Sequence, residues 1–235
     1  MLTVMTAGTW AHAAEKQKQF VIEDGEWIRR KGGKVLETPV PNGGQETEIG
    51  WIYWLFVNPE VDESLKGENQ GVHFFSDSTK KFSFLPLEKG TEINGIHFSP
   101  DGKRLIIESP GEDITLTLYT FADLKLHVEM KKVEMVPMWV DSARFIYSRY
   151  EPGTSRGVPD DYADEWISLA IYDVLSEKET ILKAATKTSN FSLLYLNEKG
   201  DIVADESSVK SIKDWADPEN KVKSREIVVP LPAAD

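Results

Sequence analysis

Ile96-His97-Phe98-Ser99-Pro100-Asp101-Gly102-Lys103-Arg104-Leu105-Ile106-Ile107 is the stretch on which the reading of this chain turns. An apolar run stops at Ser99, a turn follows, and a second apolar run resumes at Leu105. Proline at the second turn position pre-sets φ, and glycine at the fourth tolerates positive φ where the chain re-enters a strand. The segment is predicted as a tight β-hairpin. Two later stretches repeat its plan: Met138-Trp139-Val140-Asp141-Ser142-Ala143-Arg144-Phe145-Ile146-Tyr147, and Leu194-Tyr195-Leu196-Asn197-Glu198-Lys199-Gly200-Asp201-Ile202-Val203-Ala204.

A second hairpin type interleaves with the first. Each copy carries a lysine in or just after its turn, and Lys34, Lys80, Lys125 and Lys178 recur at spacings of 46, 45 and 53 residues. Within these hairpins Ile114, Leu116 and Leu118 alternate with threonines, and Ile167, Leu169 and Ile171 alternate with Trp166, Ser168 and Ala170. That is the period-two pattern of strands, whereas helical periodicity is not evident anywhere. Two hairpins per period of about 45 residues make a four-stranded antiparallel unit with the dimension of a propeller blade. Complete or nearly complete units are predicted at 93–131, 136–184 and 190–230. A degenerate unit is predicted at 49–86 and a partial one at 20–40, which could complete the last unit.

Phe98 to Leu105 resembles the blade signature of TolB-type, WD-repeat-like β-propellers, in which an aromatic strand end runs into a Ser-Pro-Asp-Gly turn. The resemblance implies an all-β fold, a small propeller of four or five four-stranded blades. It also implies a protein-binding or scaffolding role of the kind found in exported bacterial proteins. An irregular β-sandwich is the alternative that the same hairpins allow.

Composition narrows the possible functions. A chain of 235 residues with 40% hydrophobic content can bury a core of its own and sits near the upper size of one domain, taken here as residues 15–235. The net charge of −12 repels phosphate backbones and anionic membrane surfaces, so nucleic acid is not an expected partner. The absence of cysteine removes disulfides, thiolate zinc sites and cysteine nucleophiles together. No stretch reaches the roughly 18 to 20 apolar residues of a membrane span; the longest, Ile49 to Val57, is half that. Residues 1–14 read as a signal peptide or an unstructured N-terminal segment. Leu2 to Trp10 is mildly apolar, and Ala11-His12-Ala13 fits the small-x-small pattern of a cleavage site. The expected location is periplasmic or secreted.

Candidate chemistry is sparse. His73, His97 and His127 fall on predicted strands without a partner at ligand spacing, and there is no Gly-x-Ser-x-Gly elbow. The insertion from Glu151 to Glu165 is the place to look for binding residues, because loops on rigid scaffolds concentrate them. Asp160, Asp161, Asp164 and Glu165 offer oxygen ligands of the kind calcium takes, although their order is not that of an EF-hand. Seven tryptophans invite a stacking surface. Trp51, Trp54 and Trp139 are expected to pack between units with Phe98, while Trp166 and Trp215 are the ones that would stack on a ligand. No cofactor is expected beyond calcium. The function that follows is non-enzymatic binding of a protein or cell-envelope component. Two alternatives are an enzyme acting on a glycan or small molecule through carboxylates at the propeller mouth, and a structural subunit of an envelope complex.

Overall fold

Alternating apolar residues between turn signals pair locally before anything else can form, and the molecule is accordingly a succession of antiparallel meanders. In a computed structural model of the chain, the described residues are 20–23, 26–31, 34–37, 42–59, 70–111, 114–134, 137–151, 154, 157 and 166–232. They form eighteen strands, a 3₁₀ turn at Ile212–Ala216 and one helical turn at Pro218–Lys221.

The first meander comprises β1 (Phe20–Glu23), β2 (Glu26–Lys31) and β3 (Lys34–Glu37). Next come β4 (Gly43–Thr47), β5 (Gly50–Val57), β6 (Gly71–Ser76) and β7 (Lys81–Pro86). The central meander is β8 (Gly95–Phe98), β9 (Arg104–Ser109), β10 (Ile114–Thr120) and β11 (Lys125–Val133). It is followed by β12 (Met138–Trp139), β13 (Arg144–Tyr150), β14 (Ile167–Asp173) and β15 (Lys178–Lys183). The last meander is β16 (Ser189–Leu196), β17 (Ile202–Ser208) and β18 (Lys223–Val229). A single bridge, Val133 to Arg149, ties β11 to β13.

The fold is therefore all-β and built from units close to the expected boundaries. Two differences stand out. The unit at 49–86 is not degenerate, because Gly43–Thr47 supplies its fourth strand. That strand has no apolar alternation; the rings of Trp54 and Tyr53 on β5 lie over Gly43 and Gly44 and take the place of side chains there. Among the described residues the last unit has three strands, and no pairing joins β1–β3 to β18.

The sheets stack face to face, each contact sealed by its own core. Ile52, Val72, Phe74 and Leu85 of β4–β7 meet Ile96, Phe98, Leu105 and Ile107 of β8–β11. The opposite face of β8–β11 packs Ile106, Leu116 and Leu118 against Phe145, Tyr147 and Tyr172. The far side of β12–β15 packs Ile146, Leu169 and Ile171 against Phe191, Leu193 and Ile202. This explains β14: residues of both parities are buried, because a sheet lies against each of its faces. Phe98 sits at a T-shaped crossing with Phe74 and Phe121 at 5.8 and 5.0 Å.

The turns are built as the sequence requires. Gly102 has φ of +67°, and Asp101 closes the turn by accepting from the Ser99 hydroxyl and the Lys103 N–H. In the second hairpin type the left-handed residue is Lys80, Leu124 or Glu177, each just before its strand. The structural register therefore runs through Lys81, Lys125 and Lys178, the first strand residues, and Lys80 is one position out of it. The turns also reach between sheets. The Gln45 side chain bonds both backbone groups of Phe98, Arg104 donates to the Ser142 carbonyl at 2.6 Å, and Arg144 donates to the Pro232 carbonyl at 2.7 Å.

Candidate functional site

The stack leaves a cavity of about 330 Å³ where the β8–β11 and β12–β15 sheets diverge. Its walls are Met130, Lys131 and Lys132 of β11, Tyr147, Arg149 and Tyr150 of β13, and Glu179 of β15. The β11 wall is shaped by a bulge. Ile114 pairs with Val133 and Leu116 with Met130, so three steps on β11 answer two on β10, and Lys132 has φ of +62°. A bulge re-aims side chains, and this one falls where Lys131 and Lys132 line the cleft.

On the opposite wall Tyr147 and Arg149 lie two residues apart and so share a face. Glu179 holds both: the Tyr147 hydroxyl donates to one of its oxygens and the Arg149 guanidinium to the other. Burial pushes the Tyr147 phenol well above its ordinary range, and the carboxylate it bonds raises it further. It stays a neutral donor at any physiological pH. The second guanidinium arm of Arg149 reaches Glu151 at 3.4 Å. Glu151 is the residue at which β13 gives way to the insertion, and the Thr154 hydroxyl caps its carbonyl at 2.7 Å. The cleft thus lies at the foot of the segment in which the sequence places binding residues.

A second polar group sits inside the same sheet stack. His97 Nε2 is 3.3 Å from Glu108 Oε2, and Glu108 is 5% exposed. Gly95 makes room for the imidazole, since a Cβ there would lie 2.6 Å from Nε2. Burial lowers the His97 pKa, with the Glu108 carboxylate opposing it. Trp139 fixes the strand from the next sheet by donating to the His97 carbonyl at 3.1 Å.

The residues singled out from sequence are distributed differently. Trp215 belongs to the 3₁₀ turn between β17 and β18, is 4% exposed, and donates through its indole to the Lys187 carbonyl at 3.0 Å. Its ring is committed to packing. Trp166 is half-buried at the start of β14, where its carbonyl accepts from the Glu151 N–H at 2.8 Å. Asp160, Asp161, Asp164 and Glu165 lie outside the described residues. Among the described residues no cluster of three metal-ligating side chains occurs. Trp54 packs between sheets as expected, on Phe98; Trp139 lies against Phe145, its partner in the same sheet, and reaches the next sheet through its bond to the His97 carbonyl. Trp51 does not: it is 41% exposed, with one face stacked on Tyr53. The cleft residues Lys131, Lys132, Arg149 and Glu179 were missed. The available signal was Lys131-Lys132 breaking the alternation of β11 and Arg149 preceding the insertion.

No family model and no curated protein matches the chain. Solved structures do. One from a study of two prolyl endopeptidases is 12% identical over 83% of this chain, with a TM-score of 0.57; the chain spans 28% of that protein's length. The β-propeller domain of the trilobed protease from Pyrococcus furiosus is 11% identical, over 91% of this chain and 72% of that one, with a TM-score of 0.48. TolB from Acinetobacter baumannii is 14% identical, over 90% and 50%, with a TM-score of 0.37. At these identities the likeness is one of fold.

Proposed function

We propose that this chain is a propeller-type binding module, exported to the periplasm or beyond, whose partner is a protein or cell-envelope component. The partner engages the cleft between the β8–β11 and β12–β15 sheets together with the insertion that begins at Glu151. The observation that carries this reading is the position of that insertion. It leaves a rigid sheet directly beside a cavity lined by three cations, one acid, two tyrosines and a methionine. Such amphipathic, charge-bearing walls favour recognition, and the binding residues of a rigid scaffold belong on the loops it presents. Glu179 accepts one hydrogen bond at each oxygen, from Tyr147 and Arg149, and so orients these two donors. No described helix is long and apolar enough to cross a membrane.

The test is a photo-crosslinker placed at Tyr150 in the full chain, with a second chain lacking 152–165. A single partner captured in stoichiometric yield and lost on deletion supports the reading; equal capture by both chains sinks it. Export is tested separately, by sequencing the N-terminus of the protein recovered from the cell envelope. A start at Ala14 or Glu15 is expected.

A second reading, an enzyme acting on a glycan or small molecule, is favoured by the His97–Glu108 pair alone. A carboxylate that orients a half-buried imidazole is the usual support of a general base. Turnover of a glycan or ester panel that His97→Gln abolishes would promote it.

A further inference from the structure

We infer that the N-terminal meander β1–β3 is the first sheet of the stack, seated on the face of β4–β7 that is turned away from β8–β11. The inference is independent of the binding-module reading.

Burial on that face is the first argument. Tyr53, Leu55 and Val57 of β5 share it with His73 and Phe75, their partners on β6. Leu55 and Phe75 are 6% exposed and Val57 is fully buried. An antiparallel sheet with nothing on one face leaves the residues of that face in water, so this face is covered. Each of the other three cores draws on two sheets, whereas the described members of this one, Leu55, Val57, Phe75 and Tyr53, all come from β5 and β6.

Composition is the second argument. The buried run from Tyr53 to Val57 is four strand steps long, about 13 Å, and Trp51, one more alternate position along, is 41% exposed and marks where the cover ends. Two stretches adjoin this sheet in the chain. Residues 60–69 hold five charged side chains and only Val61 and Leu65 as large apolar ones. β1 and β2 alone hold Phe20, Val21, Ile22, Trp27 and Ile28, in a ladder that continues to β3. A repeat unit of this kind does not bury its apolar residues by itself and needs a neighbour. The third argument is the connection. Successive sheets are joined by residues 87–94, 134–137 and 184–188, and each joint lays the next sheet on the face of the one before. Residues 38–42 join β3 to β4. Five residues reach up to about 17 Å, against about 10 Å between packed sheets, so the same step seats β1–β3 on β4–β7.

The experiment places a benzophenone amino acid at Phe82, which pairs with Phe75 on the same face and is 37% exposed, in the full chain. After irradiation, a crosslink to residues 20–37 in a species of monomer mass is expected. A crosslink to 60–69, to β16–β18 or to a second copy, or none to 20–37, overturns the inference. A second measurement follows the His73 imidazole by NMR titration in the full chain and in one lacking residues 1–37. Its pKa should climb from about 4 toward 6.5 as water reaches the bared face, and the shortened chain should self-associate. An unchanged His73 in a folded, monomeric shortened chain overturns the inference as well. Where the shortened chain does not fold, the crosslink decides.

Discussion

Replacing His73 by glutamine should remove about 2.5 kcal/mol of the stability that this fold loses between neutral pH and about pH 4.5. His73 lies in the middle of β6, opposite Leu55 and Phe84, with its ring tilted against Phe84 at a centroid distance of 4.5 Å. Burial lowers its pKa from 6.5 to about 4. The sign follows from which state holds the proton. Above pH 6.5 the imidazole is neutral in both states and contributes no pH dependence. As the pH falls from 6.5 toward 4, the unfolded chain takes up a proton that the folded chain refuses, so stability declines; below 4 the loss levels off. A tenfold difference in proton affinity is worth about 1.4 kcal/mol, so the decline should reach about 2.5 kcal/mol by pH 4.5. Urea denaturation of wild type and His73→Gln across this range reads the effect as a shift in midpoint at constant slope. His97, also lowered by burial, is present in both proteins and cancels in the difference. Parallel loss of stability in the two proteins would refute the assignment, because the proton would then be entering elsewhere.

Other outcomes are equally specific. Phe98→Ala should cost about 3 to 5 kcal/mol in the same denaturation assay, since the ring is 1% exposed and anchors the contact between two sheets; a cost under about 1 kcal/mol would mean that the interface repacks. Gly43→Val should destabilise by about 1 to 3 kcal/mol, because its Cβ would stand 2.5 Å from the Trp54 ring; a neutral result would show that the indole swings aside freely. Burial pushes the Asp141 carboxyl up, but the bonds it accepts from the Ala143 and Arg144 N–H groups and its pairing with the Arg144 guanidinium outweigh that and hold it below the usual carboxylate range. Asp141→Ala should therefore cost about 1 kcal/mol at pH 7, discounted for solvent access, and the cost should fade as the pH drops through the carboxylate range. Calorimetry at pH 7 and in acid checks the trend.

The units were legible because each is held by contacts close in sequence. Pro100 and Gly102 specify their turn through φ alone, and the alternation around Leu116 and Leu118 specifies a strand through the two-residue period, whatever lies beyond it. What failed to show locally was whatever depends on a neighbour. β4 has no strand signature because Gly43 and Gly44 borrow the rings of Trp54 and Tyr53 across the ladder. Trp215 and Trp51 exchanged expected roles, the first buried and the second exposed, because exposure depends on which sheet face is covered and not on ring chemistry. Of the candidate site, the insertion was visible in the sequence as a break between strands, but its wall was not. Lys131 and Lys132 line one cleft with Arg149 and Glu179 where a bulged strand of one unit comes beside the strands of the next. Sequence alone determined the hairpins, their period and the acidic, cysteine-free composition that rules out whole classes of chemistry. The stacking of sheets decided which side chains converge, since residues that follow one another along a strand point to opposite faces and meet their partners from a different unit.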